Sequence, residues 1–210
     1  MVKPYLRQSP LAHLHLEMRT RKSEALSVAG VQVLEIADRA QIVVRGQSAD
    51  PAFLQGVEKA LGQSLPIIAC TSVGDPTGLY VLWMGPDEWL VVAPEIKRSA
   101  LLAGLAKALR GLHCAIVDVS ESRTVIQLQG QEAKTVLDKG CSIDLHPRSF
   151  GPGRVANTLL ARCHITLHQT VVDLQTGHPS FDIYVHRSFA EYLWTWIEDA
   201  SREYGLDVGS

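Results

Sequence analysis

The sequence predicts an α+β fold with mainly antiparallel sheets, built from two similar strand–helix–strand–strand–helix halves. Three observations carry this. Short β-branched runs such as AQIVVRG (40–46) and RTVIQLQG (123–130) alternate with amphipathic stretches of helical length. Turn signals such as Gly85-Pro86-Asp87 join neighbouring runs. The whole order recurs after about eighty residues, so that Gly46 and Gly130 close equivalent strands.

The elements follow in order. About thirty residues form an irregular polar arm whose anchors, Leu6, Leu11, Leu14 and Leu16, keep no sustained period. They suit the surface of the chain's own domain or of a neighbouring subunit. A regular pattern begins near Val31. AQIVVRG reads as a strand, and a helix follows with Asp50 as N-cap, Pro51 at its first position, Leu54, Val57 and Leu61 on one face, and Gly62 as its stop. LPIIAC (65–70) and GLYVLWMG (78–85) read as strands around the turn SVGDPTG. EWLVVAP (88–94) is another strand, and a helix from about Glu95 to Arg110 turns Leu101, Leu102, Leu105 and Leu109 inward.

In the second half RTVIQLQG is a strand. QEAKTVLDKG (131–140) is a helix stopped by a left-handed Gly140, and NTLLARCHITLHQ (157–169) and SFDIYVHR (180–187) are single strands. A long helix from Phe189 to Tyr204 closes the unit, with Ser188 and Glu191 as a capping box and Gly205 as its end. The expected organisation is an arm over 1–30 and one body over 31–210, its halves dividing into about 31–112 and 113–210.

Composition narrows the function classes. Hydrophobic residues make up 46% and charged residues 20%, with a formal net charge of −2. That is globular, with no global attraction to nucleic acid or acidic membranes. No run approaches the roughly 18 apolar residues of a membrane span. The first residues lack the continuous apolar block of a secretory signal. Cys70, Cys114, Cys141 and Cys163 form no CxxC pair and read as free thiols of a cytoplasmic protein.

The segment LDKGCSIDLHPRSFGPGR (137–154) gathers the most chemistry-bearing residues. Cys141 follows a helix C-terminus, where the dipole disfavours a thiolate, and with His146 it supplies only two of the four ligands of a structural zinc site. Asp144 can orient His146, but no oxyanion hole accompanies them. The segment is expected to be a stiff connection anchored by Phe150. Its charged residues His146, Arg148 and Arg154 make it a candidate subunit-contact loop that suits a carboxylate or a partner's acidic patch.

Other candidates reduce to structure. Asp87 and Glu88 are turn carboxylates pointing apart. Ser120 and Ser122 lack the glycines of a nucleophile elbow. His164 and His168 lie on one strand, about 13 Å apart, too far for one metal. Tyr192 and Trp196 share a helical face, while Trp194 points elsewhere, to solvent or an interface. The residues alone therefore nominate no catalytic, cofactor-binding or metal site.

Several linked motifs nevertheless carry a resemblance: WMGPDEWLVVAP, the run from SRTVIQLQG through LARCHITL, FDIYVHRSFAEYLWTWIEDASREYG, and SPLAHL near the start. They resemble the gamma subunit of heterotetrameric sarcosine oxidase. DVSESRTVIQLQGQEA is also similar to the first domain of the glycine-cleavage T-protein and related folate-binding aminomethyltransferases, through Asp118, Val119, Ser120, Gly130 and Ala133. The resemblance implies a bacterial cytoplasmic complex in which alpha, beta and delta subunits are the partners. Such a complex converts sarcosine to glycine with O2 and tetrahydrofolate, giving hydrogen peroxide and 5,10-methylenetetrahydrofolate. FAD, FMN, NAD, tetrahydrofolate and zinc are then expected on the other subunits, with this chain structural. An independent folate-binding, aminomethyltransferase-like protein is the alternative.

Overall fold

The computed structural model describes residues 7–23, 29–172 and 177–209. Its elements are α1 (Leu16–Ser23), β1 (Val31–Ile36), β2 (Arg39–Arg45), α2 (Pro51–Leu61), β3 (Ser72–Gly74), β4 (Tyr80–Gly85), β5 (Glu88–Pro94), α3 (Arg98–Ala108), β6 (Ala115–Asp118), β7 (Arg123–Gln129), α4 (Ala133–Asp138), β8 (Val155–Leu160), β9 (Cys163–Val172), β10 (Pro179–His186), α5 (Arg187–Ser201) and β11 (Leu206–Val208). They form two sheets, ordered β3-β4-β5-β2-β6 and β8-β9-β10-β7-β1-β11. Every strand pair is antiparallel except β1 with β11.

The two sheets share one strand order, with β1 inserted between β7 and β11. β1 precedes residue 112 yet pairs in the six-stranded sheet, and β6 follows residue 113 yet pairs in the five-stranded one. Each stretch of chain thus lends a strand to the other's sheet.

Packing produces four layers. On the five-stranded sheet Ile42, Val44, Trp89 and Val91 meet Phe53 and Val57 of α2 and Leu101 and Leu105 of α3. On the six-stranded sheet Ile126, Leu128, Ile183 and Val185 meet Val136 of α4 and Leu193, Trp194 and Ile197 of α5. The remaining sheet faces close on each other through Tyr80, Leu82, Leu90, Val92, Val125, Val155 and Tyr184. Strands such as WLVVA are therefore buried on both faces, which explains their unbroken apolar runs. Each large apolar side chain fully buried here contributes about 1.5–3 kcal/mol.

Local chemistry sets the boundaries. Asp50 Oδ1 accepts the Ala52 N–H at 2.9 Å, and Gly62 ends α2 at φ 75° with its N–H on the Glu58 carbonyl. Six expectations are corrected or resolved. LPIIAC is not a strand: Pro66 has no N–H for a ladder and its carbonyl accepts the Trp89 indole at 2.8 Å, so Ile67 and Ile68 stand 70% and 68% exposed while SVG forms β3. Residues 157–169 are not one strand but the β8–β9 hairpin, turned at Ala161 and Arg162 with Ala161 at φ 53°. Gly140 does not take the left-handed conformation. A Cβ there would lie 2.5 Å from the Trp196 ring, so close approach explains the residue. Helix α5 begins at Arg187 after His186, and no side chain caps it, so the Ser188 capping box does not form. Trp194 is fully buried, because α5 turns it with Leu193 and Ile197 onto the sheet. In the arm Leu11, Leu14 and Leu16 pack into the chain's own core beneath the six-stranded sheet; Leu6 lies outside the described residues.

Candidate functional site

The segment from Gly140 to Arg154 is held by its own hydrogen bonds. Asp144 accepts the His146 N–H at 2.8 Å and the Ser149 hydroxyl at 2.6 Å, and these two bonds hold its carboxyl below the usual range. His146 Nδ1 accepts the Arg148 N–H at 3.2 Å, and the His146 carbonyl accepts from Ser149 and Phe150. Phe150 is buried in the core, and Arg154 is half-buried, its backbone bonded to Gly151 and Gln169. Of the four candidate contact residues, His146 and Arg148 alone are exposed. Cys141 is half-buried, and burial pushes its thiol up, away from nucleophilic use. Among the described residues no group of three or more His, Cys, Asp or Glu is arranged to hold a metal.

The other sequence candidates separate. Asp87 and Glu88 pair with Arg45 at 3.2 and 3.4 Å. Ser120 is a clasp: its hydroxyl accepts the Gln41 N–H at 2.9 Å and donates to Asp118 at 2.7 Å. Asp118 is also gripped by Arg98, which binds Glu95 and Glu121 as well. Burial works to raise the Asp118 pKa, but the Ser120 and Arg98 bonds outweigh it and lower it. His164 is exposed, whereas His168 is buried, bonded through Nε2 to Ser72 Oγ at 2.8 Å with its ring 5.5 Å from that of Tyr80.

Between the sheets lies a polar cluster that the sequence reading missed. Tyr184 and Tyr80 share a 2.5 Å hydrogen bond, and the Tyr80 hydroxyl donates to Asp182 at 3.3 Å. Gln127 Nε2 donates to the other Asp182 oxygen at 2.8 Å. Burial pushes all three ionisable groups toward their neutral forms: Asp182 rises, as do both tyrosines. Burial pushes His168 down to about 4. Tyr80, Tyr184, Asp182 and Gln127 hydrogen-bond to one another and His168 to Ser72, and both sets fasten one sheet to the other, a geometry for cohesion between layers. The available signal was Asp182 alternating with Phe181 and Ile183 in an otherwise apolar strand.

This layering is a fold shared with an aminomethyltransferase. The chain overlays glycine cleavage system aminomethyltransferase T from Bartonella henselae with a TM-score of 0.70 at 18% identity, covering 97% of this chain and 59% of that one, a likeness of fold alone. Residues 45–203 match the model of the sarcosine oxidase, gamma subunit family. Sarcosine oxidase subunit gamma from Arthrobacter sp. is 39% identical over 202 residues, 95% of this chain and 92% of that one. The heterotetrameric sarcosine oxidase from Corynebacterium sp. U-96, solved in complex with pyrrole 2-carboxylate, contains a chain that overlays with a TM-score of 0.82 at 37% identity, covering 95% and 96%. The chain belongs to the sarcosine oxidase gamma subunit family. No helix among the described residues is long and apolar enough to cross a membrane.

Proposed function

We propose that this chain is the gamma subunit of a heterotetrameric sarcosine oxidase, serving assembly rather than catalysis. The observation carrying this reading is its near end-to-end correspondence with gamma subunits in sequence and in fold. The polar residues support it: Asp87 and Glu88 are taken up by Arg45, Ser120 by Asp118, and the inter-sheet cluster by its own members. In this reading the alpha, beta and delta subunits are its partners. FAD, FMN, NAD, tetrahydrofolate and zinc sit on those subunits in the cytoplasm. The body over 31–210, with its two pseudo-repeats and the arm over 1–30, is a rigid scaffold. His146 and Arg148 extend from the 137–154 segment as contacts for a partner's acidic groups, with Phe150 and Arg154 holding that segment in place.

The test is reconstitution. Co-expressing the partner genes with and without this chain is expected to give a complex that oxidises sarcosine only when the chain is present. A fully active, stable complex without it would overturn the assembly role. The likeness to aminomethyltransferase T favours a second reading, an independent folate-binding protein, and titration of the chain with tetrahydrofolate separates the two. Tight saturable binding supports the second and counts against the first.

A further inference from the structure

Arg123 opens β7 beside the seam between the sheets and lines two cavities there. One, of about 360 Å³, is also lined by Arg7, Arg39, Glu95, Glu121 and Arg187. The other, of about 300 Å³, is lined by Glu88, Asn157, His164, Tyr184 and His186 among others. Arg123 is half-buried, as Arg98 and Arg154 are; like Arg154 it has a buried nitrogen without a hydrogen-bond partner, whereas Arg98 is matched by carboxylates. Arg98 is held by Glu95, Asp118 and Glu121. Arg7 shares Glu95 and Glu121, and Arg45 takes Asp87 and Glu88. For Arg123, among the described residues, there is no ion pair, and Nη1 is buried without a hydrogen-bond partner. Burial pushes its pKa down, offset in part by the charge of Glu88.

A guanidinium cannot escape this cost by losing its proton, so an unmatched one inside a fold is a liability unless something external completes it. Its fork of donors fits a carboxylate in a bidentate pair. The larger cavity adds two guanidiniums without a carboxylate at ion-pair distance. Arg187 donates to the Gln8 carbonyl at 2.7 Å, and Arg39 reaches the Pro76 and Thr77 carbonyls at 3.5 Å. Glu95 and Glu121 on the same wall are already compensated by Arg7 and Arg98, which leaves Asp38 as the lining carboxylate without an ion pair.

We propose that this seam cavity binds a small carboxylate-bearing molecule, with Arg123 as its bidentate anchor and Arg187 as a second donor. The proposal stands apart from the gamma-subunit reading. The test is calorimetric and thermal-shift titration of the full chain in low-salt buffer. Succinate is the probe and succinamide its uncharged counterpart. Succinate is expected to bind saturably and raise the melting temperature, and succinamide to do neither. Arg123→Met is expected to weaken succinate by about tenfold or more, and Arg187→Gln by less. Arg202→Met, at an arginine paired with Asp199, is expected to bind as the parent does. In probe-free buffer Arg123→Met is expected to melt no lower than the parent, since methionine fills the space without a charge. Absence of saturable succinate binding, unchanged binding in Arg123→Met, or a large drop in its probe-free melting temperature overturns the proposal. Repeating the titration on the assembled complex separates a free carboxylate from one supplied by a neighbouring subunit: binding must persist there, and its loss on assembly refutes the free ligand.

Discussion

Replacing His168 with glutamine tests the inter-sheet packing directly. His168 is buried between β8 and β10, held by Ser72 and stacked near Tyr80, and burial lowers its pKa from the ordinary 6.5 to about 4. The fold therefore keeps the imidazole neutral where the unfolded chain would protonate it. Its contribution is fully present above pH 6.5, declines as pH falls through the interval from 6.5 to about 4, and levels off below. At about 1.4 kcal/mol for each tenfold change in proton affinity, the full loss is about 3 kcal/mol. Asp182, whose pKa burial raises, works in the opposite sense, its protonation favouring the fold as pH falls. That term is common to both chains and cancels in their difference. His168→Gln keeps a side-chain nitrogen near Ser72 but cannot titrate. Urea denaturation from pH 7.5 to 4 should show the parent losing most of about 3 kcal/mol relative to the variant. Parallel profiles for the two chains, or an imidazole NMR titration centred near the ordinary value, would refute the reasoning.

Three further outcomes follow from individual contacts. Gly140→Ala should destabilise by about 1–3 kcal/mol in thermal or urea unfolding, because its new methyl meets the Trp196 ring; an unchanged midpoint removes the close-approach explanation. Arg98→Ala leaves Asp118 without its cation, while Glu95 and Glu121 keep Arg7, and because these carboxylates are partly exposed it should cost about 1 kcal/mol by the same measurement. Cys141→Ala should leave the assembled activity intact, and Cys141 should alkylate slowly at neutral pH because burial raises its pKa; rapid modification would reopen a thiol mechanism.

Strand and helix identities were legible where short-range chemistry decides them. Asp50, Pro51 and Gly62 bound α2 as their side chains and φ preferences require, and Pro86-Asp87 turns β4 into β5. The reading failed where tertiary contacts override local pattern. An exposed Ile67-Ile68 pair looks like a strand until Pro66 is seen accepting from Trp89. Ala161 has none of the usual turn chemistry, so the β8–β9 hairpin carried no sequence mark. Trp194 lies on the single buried stripe Ala190, Leu193, Trp194, Ile197 and Ser201, but with Phe189, Tyr192 and Trp196 also apolar the sequence pattern does not fix which way that stripe is rotated. The inter-sheet cluster joins residues about a hundred positions apart in sequence, as Tyr80 and Tyr184 are, and no local spacing encodes that meeting. Arg123 was likewise legible only as a strand residue, since its lack of a counter-charge is a property of the assembled fold.

The most direct measurement is the absorption spectrum and sarcosine turnover of this polypeptide purified alone, set beside those of the complex reassembled from it. The account predicts a colourless, inactive chain that is nonetheless stoichiometric in the coloured, active complex. A chain that carries flavin or oxidises sarcosine unaided contradicts it.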